Sequence, residues 1–340
     1  MSVTIKEVAK KAGVSTATVS RVLNNVGPVD EETRRRVLEV AKKLHYTPNA
    51  MGRSLSTRRT DAIGLVLPDL YGEFFSEVIR GADQTAQQHR YHLLVSSSHT
   101  TRLALEGALQ VMRGRVDGLI IMSPHLDVHT LRDNLSKTVP VVLLNCHVAD
   151  NSFDSFNVDN FAGARQMVRH LIAHGHRRIA IIKGTEKNLD AEERLRGYRE
   201  ALRMEQVEPH EDFEIGGDFS EASGYDAVPK ILTQAYRPTA IFAANDSMAL
   251  GALSALREIG VTVPEEMALA GFDDIPMARY LSPALSTVHV AISDLGALAV
   301  QKLVQALEQK NGHVKQHALV PTSPVLRESC GCQKQAQLKN

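Results

Sequence analysis

The sequence predicts an α/β protein built from two unlike parts, a small all-helical domain at the N-terminus and a larger body with parallel sheets. Three observations predict this. The first 46 residues carry apolar positions at helical spacing between helix-capping residues. From residue 61 onward, short apolar runs alternate with amphipathic helical segments. The 340 residues, 43% of them hydrophobic, suffice for two or three domains with a sizeable core.

The N-terminal segment has the pattern of a helix-turn-helix. Thr4 can cap a first helix, with Glu7 completing a capping box, and Gly13 ends that helix. Ser15 is a suitable N-cap for a second helix, in which Val19 and its helical neighbours point inward. The opposite face is small, polar and basic, with Thr16, Ala17, Ser20 and Arg21. Such a face can approach base edges, and an arginine can bind guanine O6 and N7.

A third helix is predicted after the turn at Gly27, with Asp30 as its cap and Val37, Ala41 and Leu44 as its buried stripe. Three helices would then enclose one small core. The alternative interpretation of this pattern alone is an ordinary helical domain with no role in DNA binding.

The charge distribution separates the two parts. The formal net charge of the chain is +0, but residues 1–60 hold 12 Lys and Arg against 5 Asp and Glu, or +7, which leaves −7 for the remaining 280 residues. The basic side chains that could contact DNA phosphates are Lys6, Lys10, Lys11, Arg34, Arg35 and Arg36. An acidic body would be repelled by DNA, so it should lie away from the duplex.

The segment TPNAMGRSLSTRRTDA, which begins at Thr47, is predicted to be a linker containing a short helix. Pro48 suits the first turn of a helix, but the segment offers only about two turns. Helices shorter than about 12 residues are marginal in water. The helix should therefore form only with a partner, and a flexible tether is the alternative.

The body is predicted to be doubly wound. Apolar runs typical of buried parallel strands occupy residues 62–68, 91–97, 116–123, 139–145, 177–184, 213–217, 238–246 and 266–274. Helical segments between and after them occupy residues 75–89, 103–113, 128–136, 161–174, 192–204, 221–234, 247–259 and 292–309. A strand-like segment, residues 317–329, closes the body. Two such series indicate two lobes, and ligands of open α/β sheets bind at the carboxyl ends of the strands.

The string TIKEVAKKAGVSTATVSRVLNN, followed by VDEETRRRVLEVAKKLHYTPNAMGRSL, closely resembles the headpiece of the lactose-repressor/galactose-repressor family of bacterial transcription regulators. The resemblance covers nearly the whole chain. It implies a headpiece at residues 1–46, a hinge helix and linker at 47–60, a two-lobed type I periplasmic-binding-protein-like body at 61–332 and a tail at 333–340. In that fold the lobes are interleaved, with crossovers here near residues 158, 288 and 319.

The resemblance also implies the DNA-contacting residues. Thr16, Ala17 and Arg21 would read bases, and Leu55 of the hinge helix would be wedged between base steps in the minor groove. Gly52 replaces an alanine found in many relatives, which should cost the hinge helix up to about 1 kcal/mol. The full set of predicted DNA contacts is Thr4, Ser15, Thr16, Ala17, Ser20, Arg21, Asn24, Asn49, Arg53 and Leu55. The expected partner is a pseudo-palindromic double-stranded operator bound by a homodimer.

Polar residues, the first of them Asp69, follow the predicted strands and could bind ligand hydroxyls, although Asp and Asn are also common helix caps. For Asp246 and Asp274 we expect a structural role. The resemblance places Asp159, Arg194, Asn245 and Asp273 in the effector site, Phe219 under the ligand ring, and Phe74 and Phe75 across from it. Relatives that bind purines have an arginine and a threonine where this sequence has Asn188 and Asp190, so these two positions belong to the predicted effector site.

The expected effector is a neutral mono- or disaccharide, since the carboxylates should repel phosphates and an aromatic ring suits a sugar face. A purine or nucleoside effector is the alternative, and so is activation in place of repression. The residues do not decide between inducer and corepressor, because the sign depends on which state the ligand prefers.

Several other functions are not indicated. The sequence has no Gly-rich phosphate loop after a strand, no GxSxG and no HExxH, so we expect no catalytic residues and no cofactor, with a sugar-active enzyme as a remote alternative. Three cysteines without a CxxC pair predict free thiols and no metal site, despite the His174/His176 and His125/His129 spacings. The sequence shows neither the pattern of a signal peptide nor an apolar run of about 18 residues. We therefore expect a cytoplasmic protein without membrane contact. The tail QKQAQLKN lacks leucine heptads, so we expect a dimer, not a tetramer.

Overall fold

The computed structural model describes residues 3–24, 27–46, 59–99, 101–123, 128–135, 139–146, 152–309 and 313–332. The chain divides into two compact units, Met1–Thr60 and Asp61–Asn340. Among the described helices, none is both long and apolar enough to span a bilayer.

The first unit consists of three helices, α1 (Ile5–Ala12), α2 (Thr16–Leu23) and α3 (Glu31–Lys43). The Glu7 carboxylate accepts a hydrogen bond of 2.7 Å from the Thr4 backbone N–H, and Gly13 ends α1 with a φ of 65°. The Ser15 hydroxyl caps α2 by accepting from the Thr18 N–H at 3.1 Å. The shared core consists of Val8, Ala9, Ala12, Val19, Val22, Val37 and Ala41.

Lobe 1 of the body is a six-stranded parallel sheet with helices on its faces. Its strands are β1 (Ala62–Leu67), β2 (His92–Ser97), β3 (Gly118–Met122), β4 (Val141–Leu144), β5 (Asp154–Val158) and β11 (His317–Val320), in the order β11-β5-β4-β3-β1-β2. Its helices are α4 (Glu73–Gln88), α5 (Arg102–Met112), α6 (Val128–Asn134) and α11 (Ile292–Glu308). Helices α4 and α11 approach so closely that a Cβ on Gly81 would lie 1.9 Å from the Ser293 carbonyl oxygen.

Lobe 2 is a four-stranded parallel sheet in the order β7-β6-β8-β9. Its strands are β6 (Ile179–Ile182), β7 (Glu214–Ile215), β8 (Ala240–Ala243) and β9 (Ala268–Ala270). Its helices are α7 (Asn160–Ala173), α8 (Leu189–Met204), α9 (Glu221–Leu232) and α10 (Asp246–Ile259), with 3₁₀ turns at Glu211–Phe213 and Pro276–Tyr280. A separate antiparallel pair, β10 (Thr287–His289) and β12 (Ser323–Val325), joins segments near the lobe crossings.

The chain leaves the lobe 1 sheet after β5, returns to it from β10 through α11, and leaves again between β11 and β12. The α/β class with a helix-turn-helix and a two-lobed body is confirmed. Strands β5 and β10 were not predicted. Strand β5 opens with buried Asp154 and Ser155, whose side chains bond to His313 and His317, and such distant partners are not visible in a local pattern.

Candidate effector cavity and DNA-reading helix

A cavity of about 290 Å³ lies between the two lobes, at the carboxyl ends of their strands. Of the predicted effector residues, those on its wall are Phe74, Phe75, Asn188, Asp190, Arg194, Phe219, Asn245 and Asp273. Their presence at one cavity agrees with the predicted placement, whereas their role in binding stays a prediction.

Arg194 of α8 is fixed before any ligand binds. Its guanidinium is buried and donates from Nε to Asn160 Oδ1 at 2.8 Å and from Nη1 to the Ala244 carbonyl oxygen at 2.5 Å. Its Nη2 lies 3.0 Å from Asp273 Oδ1, and its Cζ lies 3.9 Å from the centroid of the Phe272 ring. A guanidinium held on several sides can present its remaining N–H groups in one orientation, which suits recognition of a hydroxyl.

Asp273 is a buried carboxylate on the wall of the cavity. It is 4% exposed, and its backbone has a φ of 110°, a region that non-glycine residues rarely occupy. Burial raises the pKa of Asp273 to about 6, with Asp190 adding to the effect and Arg194 opposing it. Asp273 Oδ1 is itself buried and is paired with the Arg194 guanidinium at 3.0 Å, without a hydrogen bond of good geometry from the described residues.

Phe219 presents an aromatic face to the cavity from a strained loop. Its φ is 73°, and Asn245 Nδ2 donates to its carbonyl oxygen at 3.0 Å. The ring covers Gly184, where a Cβ would lie 2.1 Å from Phe219 Cζ. Across the cavity, Phe74 and Phe75 pack edge to face with ring centroids 5.4 Å apart. Strain of this kind is tolerated where the surrounding structure holds it, and it often marks a binding site.

Asp159 is not among the residues that line the cavity, and its side chain caps α7 by accepting from the Ala162 N–H at 3.0 Å. A role for Asp159 in binding stays a prediction. The next residue, Asn160, supports two residues of the wall, because its Oδ1 accepts from Arg194 Nε and its Nδ2 donates to Asp190 Oδ1 at 2.8 Å. Asn188, besides lining the cavity, caps α8.

Other cavity residues were not predicted. Among them Asp218 accepts from the Ser220 hydroxyl and the Ser220 N–H, and its own backbone N–H donates to Ser223 Oγ at 3.1 Å. Hydrogen bonds led by the one from the Ser220 hydroxyl lower the pKa of the Asp218 carboxyl. The loop motif DFSEAS, with a carboxylate beside hydroxyls after a strand, was the available signal. Asp69, expected at the end of the first strand, also lines the wall. The remaining unpredicted polar residues on the wall are Tyr71, Glu73, Asn145, Thr185, Ser220, Glu221 and Ser247.

The two carboxylates expected to be structural are not on the cavity wall. Asp246 is fully buried and accepts from the Thr287 hydroxyl and the Ile275 N–H, and burial raises its pKa well above the ordinary value. Asp274 binds Arg327 Nη2 at 2.6 Å and His289 Nδ1 at 2.9 Å. Both therefore hold the framework behind the site.

The wall is strongly acidic. Its described carboxylates belong to Asp69, Glu73, Asp190, Asp218, Glu221 and Asp273. Arg194 is the one cationic side chain among those same described wall residues. The cavity therefore suits neutral ligands with several hydroxyls better than phosphates or free carboxylates.

In the first unit, helix α2 presents the predicted reading face to solvent. Thr16, Ala17 and Arg21 are exposed, as are the capping residues Thr4 and Ser15. Ser20 and Asn24 are half-buried and bond to each other, with Asn24 Nδ2 donating to Ser20 Oγ at 3.2 Å. The predicted hinge contacts Asn49, Arg53 and Leu55 lie outside the described residues.

A helix-turn-helix followed by a two-lobed body with an interlobe cavity defines the class of ligand-responsive DNA-binding regulators. Residues 4–49 match the family described as bacterial regulatory proteins, lacI family, and residues 168–330 match the periplasmic binding protein-like domain.

Proteins that match nearly the whole chain belong to the same class of regulators. The chain is 38% identical over 312 residues to the HTH-type transcriptional repressor PurR of Edwardsiella ictaluri, covering 90% of this chain and 91% of that protein. It is 36% identical over 328 residues to the ribose operon repressor of Haemophilus influenzae, covering 96% and 98%. The solved lac repressor dimer, bound to operator and the anti-inducer ONPF, superposes with a TM-score of 0.86 at 32% identity, covering 97% and 99%. The chain therefore belongs to the lacI family of bacterial regulatory proteins and is a DNA-binding transcriptional repressor of that family.

Proposed function

We propose that this repressor controls a sugar uptake or catabolic operon and is itself controlled by a small neutral sugar bound between the lobes. The observation that carries the proposal is the arrangement of Arg194, Asp273 and Phe219. A buried guanidinium, paired with a buried carboxylate, stands beside an aromatic ring at one cavity. A sugar offers hydroxyls to the first two and an apolar ring face to the third.

The volume of the cavity indicates how large the sugar is. Ligand pockets span roughly 300–1,000 Å³, and about 290 Å³ is near the small end of that range. A cavity of this size favours a monosaccharide over a disaccharide. One curated relative is named for ribose, which agrees with the proposal, and another is named PurR, so a purine stays the second candidate.

The proposal includes a homodimer that binds a pseudo-palindromic operator. Strand β2 lies at the edge of the lobe 1 sheet, and Leu94 and Val95 on it are 39% and 37% exposed. In lobe 2, Tyr280 is 75% exposed. Exposed apolar side chains beside an open sheet edge are typical of an interface between copies of a chain. Light scattering should give twice the chain mass of 37.3 kDa, and a monomer at micromolar concentration would contradict the proposal.

Since the operator belongs to the chromosome, we place the protein in the cytoplasm. The ligand is bound and released unchanged, so we assign no catalytic residue and no cofactor. Any contact with the membrane is outside the proposal.

Isothermal titration calorimetry tests the ligand class. The panel contains neutral pentoses and hexoses, their phosphate esters, purine bases and nucleosides. We expect one neutral sugar to bind once per chain, and its phosphate ester to bind at least about tenfold more weakly. Arg194→Gln and Asp273→Asn should each weaken that sugar, whereas Arg203→Gln, an exposed arginine on the same helix, should not. Tight binding of a purine or phosphosugar, or an unchanged sugar affinity in both cavity variants, would overturn the proposal.

A further inference from the structure

Three potential metal ligands meet in lobe 2, away from the effector cavity. His170 is in the last turn of α7, and Cys330 and Cys332 follow β12 near the C-terminal end of the described chain. Cys330 Sγ lies 3.6 Å from His170 Nε2 and 3.1 Å from Cys332 Sγ. One donor atom from each of the three residues lies within 4.8 Å of the other two. The absence of a CxxC pair predicted free thiols and no metal site, and His170 lies 160 positions before Cys330, too far for a local spacing to reveal the cluster.

The donor set suits a thiophilic cation. Two thiolates and an imidazole favour Zn²⁺ or Cu⁺ over Mg²⁺ and Ca²⁺, which prefer oxygen ligands. Cys330 is 2% exposed, while His170 and Cys332 are half-buried, which leaves the cluster accessible from solvent.

The distances can be compared with those of a tetrahedral zinc site. Zn–S bonds of about 2.3 Å and Zn–N bonds of about 2.05 Å require a sulfur–nitrogen separation of about 3.6 Å and a sulfur–sulfur separation of about 3.8 Å. The pair His170 and Cys330 already has the required separation. The pair Cys330 and Cys332 is about 0.7 Å too close for zinc and far outside the bond length of a disulfide, about 2.05 Å. A small rotation of the half-buried Cys332 side chain would complete the zinc geometry.

We propose that His170, Cys330 and Cys332 form a Zn²⁺ site with water in the fourth position. On binding, the two thiols lose their protons to solvent and the cation forms two Zn–S bonds and one Zn–N bond. The bonds join α7 to the turn after β12. Zinc therefore stabilises lobe 2 by fastening the C-terminal turn to a helix that is distant from it in sequence.

The experiment uses the full-length chain, reduced with a phosphine and freed of metal with a chelator. Zn²⁺ affinity and stoichiometry are measured by competition with a chromogenic chelator, and Co²⁺ is added separately as a spectroscopic probe. We expect one Zn²⁺ per chain, a higher thermal unfolding midpoint with Zn²⁺, and a thiolate-to-Co²⁺ charge-transfer band with tetrahedral d–d bands.

Matched variants distinguish this site from adventitious binding. Cys332→Ser and His170→Gln should each weaken Zn²⁺ by about 100-fold or more, since loss of even an outer-shell partner costs roughly 10–100-fold. Cys146→Ala, which removes the third thiol, should leave binding unchanged. Cys332 is half-buried, so its replacement should not prevent folding.

Three results would overturn the site. The first is the absence of thiolate-to-Co²⁺ bands in the reduced protein, and the second is Zn²⁺ binding that survives both Cys332→Ser and His170→Gln. The third is a Cys330–Cys332 disulfide that persists in the phosphine and excludes the metal.

Discussion

Replacing Gly184 with alanine tests whether the Phe219 ring is the platform for the ligand. Gly184 follows β6, and a Cβ there would lie 2.1 Å from Phe219 Cζ. Ordinary carbon–carbon contacts are about 3.5–4.0 Å, so the ring has to move by at least about 1.4 Å. The backbone of Phe219 cannot easily follow, because its φ is 73° and its carbonyl oxygen is bonded by Asn245. The ring should therefore swing into the cavity.

Gly184→Ala should lower the affinity for the ligand without lowering the stability of the fold. Overpacking of this kind costs about 1–3 kcal/mol. Without ligand, the displaced Phe219 ring can move into the cavity and avoid most of this cost. With ligand bound, the ring has no such space, so the cost lowers the affinity for the ligand. We expect Gly184→Ala to weaken the sugar by about 10–100-fold while the thermal unfolding midpoint changes little. Calorimetry with the tightest-binding sugar of the panel measures the effect.

Gly216→Ala is the matched control. Gly216 follows β7, and a Cβ there would meet no atom within 4 Å. The Gly216→Ala variant should bind the sugar with the affinity of the parent protein. If Gly184→Ala and Gly216→Ala bind the sugar equally well, the assignment of Phe219 as the platform is refuted.

Three further predictions follow from the reading helix, the hinge and the buried carboxylate. Arg21→Ala should weaken operator binding by about 1–3 kcal/mol and relax the preference for one guanine in each half-site. Lys10→Ala should lower the affinity for operator and scrambled DNA alike. Equal losses on operator and scrambled DNA for Arg21→Ala would refute base reading. Gly52→Ala should tighten operator binding by up to about 1 kcal/mol and Leu55→Ser should weaken it; parental affinity in both would reduce the hinge to a tether. Because the pKa of Asp273 is raised to about 6, the carboxylate is ionised above that pH and protonated below it, so sugar affinity should fall about tenfold from pH 7 to pH 5; a constant affinity across this range would show that the ionised form is not required.

The sequence predicted most of the fold because its local signals agree with its global pattern. The capping box of Thr4 and Glu7, the stop at Gly13 and the cap at Ser15 are short-range interactions, and each is present in the structure. Apolar runs bounded by turn residues predicted the strands in the same way, but the prediction of burial is wrong for β2, which is a largely exposed edge strand. Strand β5 was missed because buried Asp154 is stabilised by His313 and Lys315, about 160 residues away.

The cavity was predictable where a motif places a residue directly at a strand end. Asp273 and Asn245 were found for that reason, and Arg194 through the resemblance. Asp159 caps α7 and is not among the cavity-lining residues, while the contact of Asn160 with Arg194 was not predicted, because it joins side chains 34 positions apart. The cluster of His170, Cys330 and Cys332 was missed because metal-ligand spacing is recognised in a sequence only when the ligands are close along the chain.

The central claim is that a sugar in the interlobe cavity controls DNA binding, and a thermodynamic cycle tests it most directly. An operator is first obtained by selecting from random DNA, and its affinity is measured with and without saturating sugar. The affinity of the sugar is then measured with and without operator. We predict that the two operator affinities differ by the same factor as the two sugar affinities, because coupling between two sites is reciprocal. This factor should lie between about 5 and 150. A sugar that saturates the cavity and leaves operator affinity unchanged would contradict the claim.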